Sequence, residues 1–530
     1  MSHVEQLANH TQLTQVSRSR QGLRTAGVII LLFAGFFAFM AAVQFATPDL
    51  PDNDGYYHIK MAYLMRTEGL KPDFPYLPLT VLNEREFADH HFLFHVVLIP
   101  FTFGDLRLGA KWASVLFASL AFMAIWWLFH RQKLPYAFLW ALGLLAVSEA
   151  FIYRMSITRA QPLSLAFLAI GLILLLEKRY WLLAPLAFFY VWLYDAFPLL
   201  LALVGSYVLG VLLVERRFEW RPLVFAGSGT FLGILVNPYF PQNAVFTIRH
   251  FLPKLTETTA VSVGNEWYPY DTGQLLSNSL PALIAFVAGV IGLGLNDRRM
   301  DVRTATSLLL TFIFALMLFQ SRRFIEYFPA FVLIFTAFAW TPLIIFWQKR
   351  ANQGDTVQII DNEGVSSKSI SSRFFQLSTR LAVPFLLIVF LIPSALSSLR
   401  SSQASLRASK PYTLFQGASV YLTANTAPGE RIFQTDWDDF PRLFFYNTHN
   451  TYLVGLDPTY MQLYDAKLYN DWVQITRGKV ALPSSEIRDR FDARYVVSDL
   501  LHTDFIHQAE NDSSIQEVYR DDQSVVYQIK

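Results

Sequence analysis

Apolar runs near the length of a bilayer-crossing helix recur along this chain, and charged clusters punctuate them. About 20 apolar residues cover a hydrocarbon core as a helix. Helices and closed barrels are the only folds that satisfy their backbone polar groups there. The 53% hydrophobic and 16% charged residues, with a mean hydropathy of +0.32, exclude an ordinary soluble enzyme. Because the chain contains no cysteine, disulfides, thiolate metal sites and a cysteine nucleophile are excluded. No nucleic-acid partner is expected.

Arg18, Arg20 and Arg24 precede the first run, residues 26–46, and hold the N-terminal tail (1–25) in the cytoplasm by the positive-inside rule. No small-residue cleavage site clearly follows, so the run reads as a retained anchor. The apolar stretch 92–103 is too short to cross and is expected at the membrane surface. Crossings are then expected at 111–129, 136–153, 162–176, 181–194, 199–214, 223–236, 280–295, 304–319, 324–347 and 375–396, about eleven in all. His130–Lys133, Glu177–Arg179, Glu215–Arg217, Asp297–Arg299 and Lys349–Arg350 mark the inner ends. Loops 47–110 and 237–279 therefore face outward from a transmembrane domain spanning 26–396. The Ser-rich loop 351–373 is cytoplasmic, and an odd count places the C-terminus outside.

Residues 397–530 differ in character. Short strand-like pieces appear at 431–434, 443–446, 451–454, 494–497 and 525–529, with helical patterning at 415–423 and 463–477. A small extracytoplasmic α/β domain follows.

The first outer loop concentrates the chemistry. Asp52 and Asp54 flank one residue, so in an extended segment both carboxylates share a face. Such a pair suits Mg²⁺ or Mn²⁺; it also suits a loop bonding its own turn. Asp89-His90-His91 closes the same loop without the four ligands of a structural zinc site. Asp89 is read as a second acidic group facing Asp54. Arg322-Arg323 breaks the charge rule at an outer helix start, where arginine can clamp a lipid-borne phosphate or snorkel into headgroups. Arg154 and Arg159 pose the same choice. Glu266 sits among Trp and Tyr in the long outer loop. In the C-terminal domain Asp436, Trp437, Asp438, Asp439, Asn447, His449, Asn450 and Asp457 combine carboxylates with an indole, a pairing suited to carbohydrate or to a capped turn.

The acidic pair followed by Gly55-Tyr56-Tyr57-His58-Ile59-Lys60 resembles the first outer loop of GT-C fold glycosyltransferases, and most resembles the oligosaccharyltransferase catalytic subunit. The resemblance implies a GT-C-like polytopic helical fold and a donor sugar on a polyprenyl phosphate or diphosphate. It implies metal ligation by Asp54, with Asp52 and Glu266 assisting, and acceptor positioning near Tyr57 and His58. Arg322 or Arg323 would contact the donor phosphate; Trp437 and Asp438 are sugar or acceptor candidates on their own chemistry rather than on the resemblance. The chain departs from that pattern at Arg159-Ala160-Gln161, where the family carries an acidic pair, and at Thr435–Pro441, where its Trp-Trp-Asp-Tyr-Gly motif is not matched.

The expected activity is transfer of a sugar or oligosaccharide from a lipid-linked donor to a glycan, lipid or protein acceptor. A divalent cation held by Asp54, with Asp89 or Glu266, would offset charge on the leaving phosphate. Asp89 is alternatively the general base. A bacterial inner membrane is the expected location. The rival classes are a transporter or lipid flippase, which would place ionisable residues at mid-membrane, and an O-antigen ligase or polymerase.

Overall fold

The computed structural model describes residues 25–256, 264–297, 299–353 and 370–530. The N-terminal tail and most of loop 351–373 lie outside the described residues, as does Val263 of the Glu266 motif.

Among the described residues, six helices are long and apolar enough to cross a membrane: Thr25–Gln44, Leu106–Arg131, Pro198–Glu215, Thr272–Gly294, Val302–Gln320 and Phe328–Arg350. The chain is a polytopic helical membrane protein. The run expected to cross at 136–153 is a pair of helices, Ala137–Leu145 and Glu149–Ser156, bent by 81°, which together are long and apolar enough for one broken span. Ser148 explains the bend, because its hydroxyl caps a new helix at the Phe151 N–H. The expected crossings at 162–176, 181–194 and 223–236 form the shorter helices Gln161–Leu176, Tyr180–Leu193 and Arg221–Leu235. The last two pack backbone to backbone, since a Cβ at Gly229 or Gly233 would meet the carbonyls of Ala184 and Phe188. The run at 375–396 lies within the helix Ile370–Arg407.

The C-terminal domain holds a five-stranded sheet ordered β2-β1-β3-β5-β4. Its strands are β1 (Arg431–Gln434), β2 (Thr451–Tyr452), β3 (Tyr495–Asp499), β4 (Ile515–Arg520) and β5 (Ser524–Ile529). Strand β1 runs parallel to β2 and β3, while β5 is antiparallel to β3 and β4. The segment 443–446, expected as a strand, is the end of a helix, Phe440–Tyr446, started by Pro441 in its first turn. Strand β4 was not expected, because its charged and half-exposed side chains hide the alternation.

Alternation along the buried strands sends Phe433, Val496 and Tyr527 into one core with Trp472, Phe491 and Phe505. It sends Ile432, Tyr495, Val497 and Val526 to the other face, against Phe440 and Phe444. That second core continues into Tyr57, Met61, Phe74 and Phe87, in the segment between the Thr25–Gln44 and Leu106–Arg131 helices. The domain and that segment therefore share one apolar interior, and the seam between them carries the site.

Candidate active site

The helix Asp54–Glu68 builds one wall of the site. It begins at Asp54, whose charge suits a helix N-terminus, and ends at Gly69, which adopts a φ of 111°. Of the two arrangements offered by the sequence, the extended segment and the self-bonding turn, Asp52 adopts the second: its Oδ1 accepts the Asp54 N–H at 2.9 Å, in an Asx-type turn. Both carboxylates still face one partner, through that turn rather than through strand alternation. Asp54 Oδ2 lies 2.8 Å and Asp52 Oδ1 3.0 Å from Arg159 Nη2. Glu266 Oε1 lies 3.0 Å from Arg159 Nη1. Arg154 joins the group by bonding Glu266 and Glu326.

These groups open onto a cavity of about 540 Å³. Its lining includes Asp52, Asp54, Tyr57, His58, Glu266, Arg323, Trp437 and Asp438, so most of the residues singled out from sequence converge there. Two do not. Arg322 lies against the backbone, donating to the Pro269 carbonyl at 3.1 Å over the Tyr270 ring, and is not among the lining residues. Its neighbour Arg323 lines the cavity, with Nη2 donating to the Tyr194 hydroxyl at 2.7 Å over the Trp267 indole. Asp89, expected to face Asp54, is buried behind the cavity wall. It accepts the His91 N–H at 2.9 Å and bonds His95 Nδ1 at 2.7 Å.

Asp89 nevertheless reaches the cavity through two imidazoles. His95 Nε2 is 2.8 Å from His58 Nδ1, and His58 lines the cavity one helical turn after Asp54. With the Asp89 carboxyl as acceptor, the chain of contacts orders both tautomers. His95 donates from Nδ1 and accepts at Nε2, His58 donates from Nδ1, and His58 Nε2 is left with a lone pair. Burial and the His95 ring hold His58 well below the ordinary histidine range, so it is neutral at rest.

The opposite wall comes from the C-terminal domain. Asn53 Nδ2 donates to the Asp438 carbonyl at 2.8 Å and to its carboxyl Oδ2 at 2.7 Å. Arg442, 1% exposed, donates to Asn53 Oδ1 at 2.6 Å and to the Pro411 and Lys410 carbonyls. Burial, with Asp52, Asp436 and Asp54 nearby, pushes Asp438 well above the carboxylate range and makes it a hydrogen-bond donor. Burial also pushes Asp54 up to about 6 against the pull of Arg159, with Asp52 and Glu266 adding to the rise. Glu266 behaves oppositely. Burial opposes its ionisation, but Arg154 and Arg159 hold it well below the carboxylate range.

The metal expected at the acidic pair does not fit these side chains as arranged. Their inner oxygens converge on the Arg159 guanidinium, and among the described residues no three Asp, Glu, His or Cys side chains are grouped to hold one ion. Sequence reasoning also passed over the cavity residues Tyr460 and Lys410. Nothing marks them before folding, since Lys410 and Tyr460 belong to the domain made last and approach Asp54 only through the shared core.

No protein-family model and no curated protein matches the chain. Solved structures do. The Archaeoglobus fulgidus oligosaccharyltransferase in its apo form is similar over 91% of this chain and 71% of its own length, at 11% identity and a TM-score of 0.64. ArnT from Cupriavidus metallidurans, solved with undecaprenyl phosphate, is similar over 94% of this chain and 98% of its own, at 14% identity and a TM-score of 0.54. The mycobacterial arabinofuranosyltransferase AftD is similar over 94% of this chain and 41% of its own, at 13% identity and a TM-score of 0.52. With helical spans, a small α/β domain and these three neighbours, the chain has the fold of the GT-C glycosyltransferases.

Proposed function

We propose that this protein is an integral-membrane glycosyltransferase. It moves a sugar or oligosaccharide from a polyprenyl-phosphate-linked donor to an acceptor on the face opposite the cytoplasm, in a bacterial inner membrane. The N-terminus is cytoplasmic and the C-terminus extracytoplasmic. The observation that carries this reading is the composition of one cavity, which brings Arg323, the Asp52–Asp54 turn and the Trp437–Asp438 pair together. Neighbours with the same fold were solved with dolichol phosphate and with undecaprenyl phosphate, which supports the donor class.

Arg323 anchors the donor phosphate, since its planar fork matches phosphate oxygens. Trp437 supplies a flat apolar face for sugar C–H groups, and protonated Asp438 donates to a sugar oxygen. The acceptor oxygen attacks the anomeric carbon. The bond from that carbon to the phosphate oxygen breaks, and its electron pair leaves with the phosphate. Asp54, at about 6, is ionised at neutral pH and takes the acceptor's proton. The Asp89–His95–His58 chain holds an imidazole lone pair beside it to orient the acceptor.

The test is mass spectrometry of envelope glycans and lipid-linked sugars in a deletion strain rescued with wild type or with Asp54→Asn at matched protein levels. Transfer predicts that one glycan disappears, its lipid-linked precursor accumulates, and only wild type restores it. Equal rescue by both proteins removes Asp54 from catalysis and returns the transporter reading.

A further inference from the structure

Arg159 sits where paired carboxylates would ordinarily gather a metal ion. Three carboxylates from two separate outer loops, Asp52, Asp54 and Glu266, all close on its guanidinium at 2.8–3.0 Å. The arginine is 9% exposed, and its backbone N–H bonds the Ile157 carbonyl at 2.9 Å in the turn before the Gln161–Leu176 helix. Its Nε is also buried and makes no hydrogen bond among the described residues. Guanidinium keeps its proton under all ordinary conditions, so it is a permanent cation.

Resting on the transferase reading of this cavity, we propose that Arg159 is the resident cation of the site. It takes the place of a divalent metal, so this protein performs transfer without one. The size of the group decides the point. Oxygens that each lie about 3 Å from a planar nitrogen fork are spread more widely than the shell of Mg²⁺, which binds at about 2.0–2.1 Å. A metal ion entering there would have to expel Arg159 from a buried position and leave a desolvated charge behind. As a built-in cation, Arg159 steadies the ionised acids and keeps positive charge beside Arg323, where the leaving phosphate gathers its charge.

The test reads Mn²⁺ itself, by electron paramagnetic resonance on the full-length purified protein in lipid nanodiscs. It uses no sugar, so its outcome is independent of whether the transfer reading survives. Wild type should leave the free Mn²⁺ signal undiminished. Arg159→Ala should take up about one Mn²⁺ per chain, and Arg159→Ala/Asp54→Asn should lose that uptake. Arg159→Lys, which keeps a cation in place, should bind none, and it serves if the alanine variant fails to fold. Uptake of one Mn²⁺ by wild type, abolished by Asp54→Asn, overturns the proposal. So does a cooperatively melting Arg159→Ala that takes up no Mn²⁺.

Discussion

Asp54 and Asp89 carry the same functional group, and their surroundings give them different work. Asp54 is partly open to the cavity and is pushed up to about 6, so its ionised fraction falls tenfold per pH unit below that point. A pH–rate profile should show transfer dropping as pH falls through about 6, with no matching loss of folded protein. Asp89 is buried, and its carboxylate is committed to His95. Asp89→Asn, which changes the partner of His95, should lower kcat by about 10–100-fold, with a smaller change in KM, measured once the substrate is known. The residue types and their neighbourhood were legible in the sequence. The order of contact was not: nothing in the spacing places two imidazoles between Asp89 and the cavity, because His58 and His95 lie on different helices. Arg159 was equally hidden. A basic residue at an outer helix end reads as a headgroup or phosphate contact until folding brings three carboxylates to it.

Among the elements, the strands with buried, alternating side chains were readable within a residue or two, as at β1 and β5. The errors fell where a capping residue overrides an apolar run. Ser148 bends the run expected as one straight crossing, and Pro441 begins a helix in a strand-like stretch. The end of β3 carries a charge cluster that ties the sheet to the cavity floor. Lys410 Nζ lies 3.3 Å from Asp499 Oδ2, and His502 Nδ1 lies 2.6 Å from Asp499 Oδ1. Burial alone would raise Asp499, but the His502 hydrogen bond and charge, with Lys410, overcome it and hold the carboxyl at about 2. A depressed carboxyl stabilises the fold above its unfolded value and loses that contribution as pH falls from about 4 to about 2. Asp499→Asn should therefore destabilise the domain at neutral pH by about 1–2 kcal/mol. Thermal melts should show this difference vanishing in strong acid.

At the scale of the molecule, the membrane region and the C-terminal domain were both expected, but their union was not. The apolar core shared by Tyr57, Phe74, Phe440 and Phe444 joins them, and Arg442 pins the seam through Asn53 and two backbone carbonyls. Arg442→Met would leave several buried acceptors unpaired, each costing about 1–3 kcal/mol. Limited proteolysis of that variant should cut the chain near residues 408–414 well before wild type, releasing the domain.

The hydrogen bond between Asn53 and Asp438 joins residues 385 positions apart. A ribosome adding roughly 5–20 residues per second needs roughly 20–80 s to travel from the first to the second. Throughout that interval the segment carrying Asn53 and Asp54 is already made while half of its cavity does not yet exist. The cavity is therefore complete only when synthesis is nearly finished.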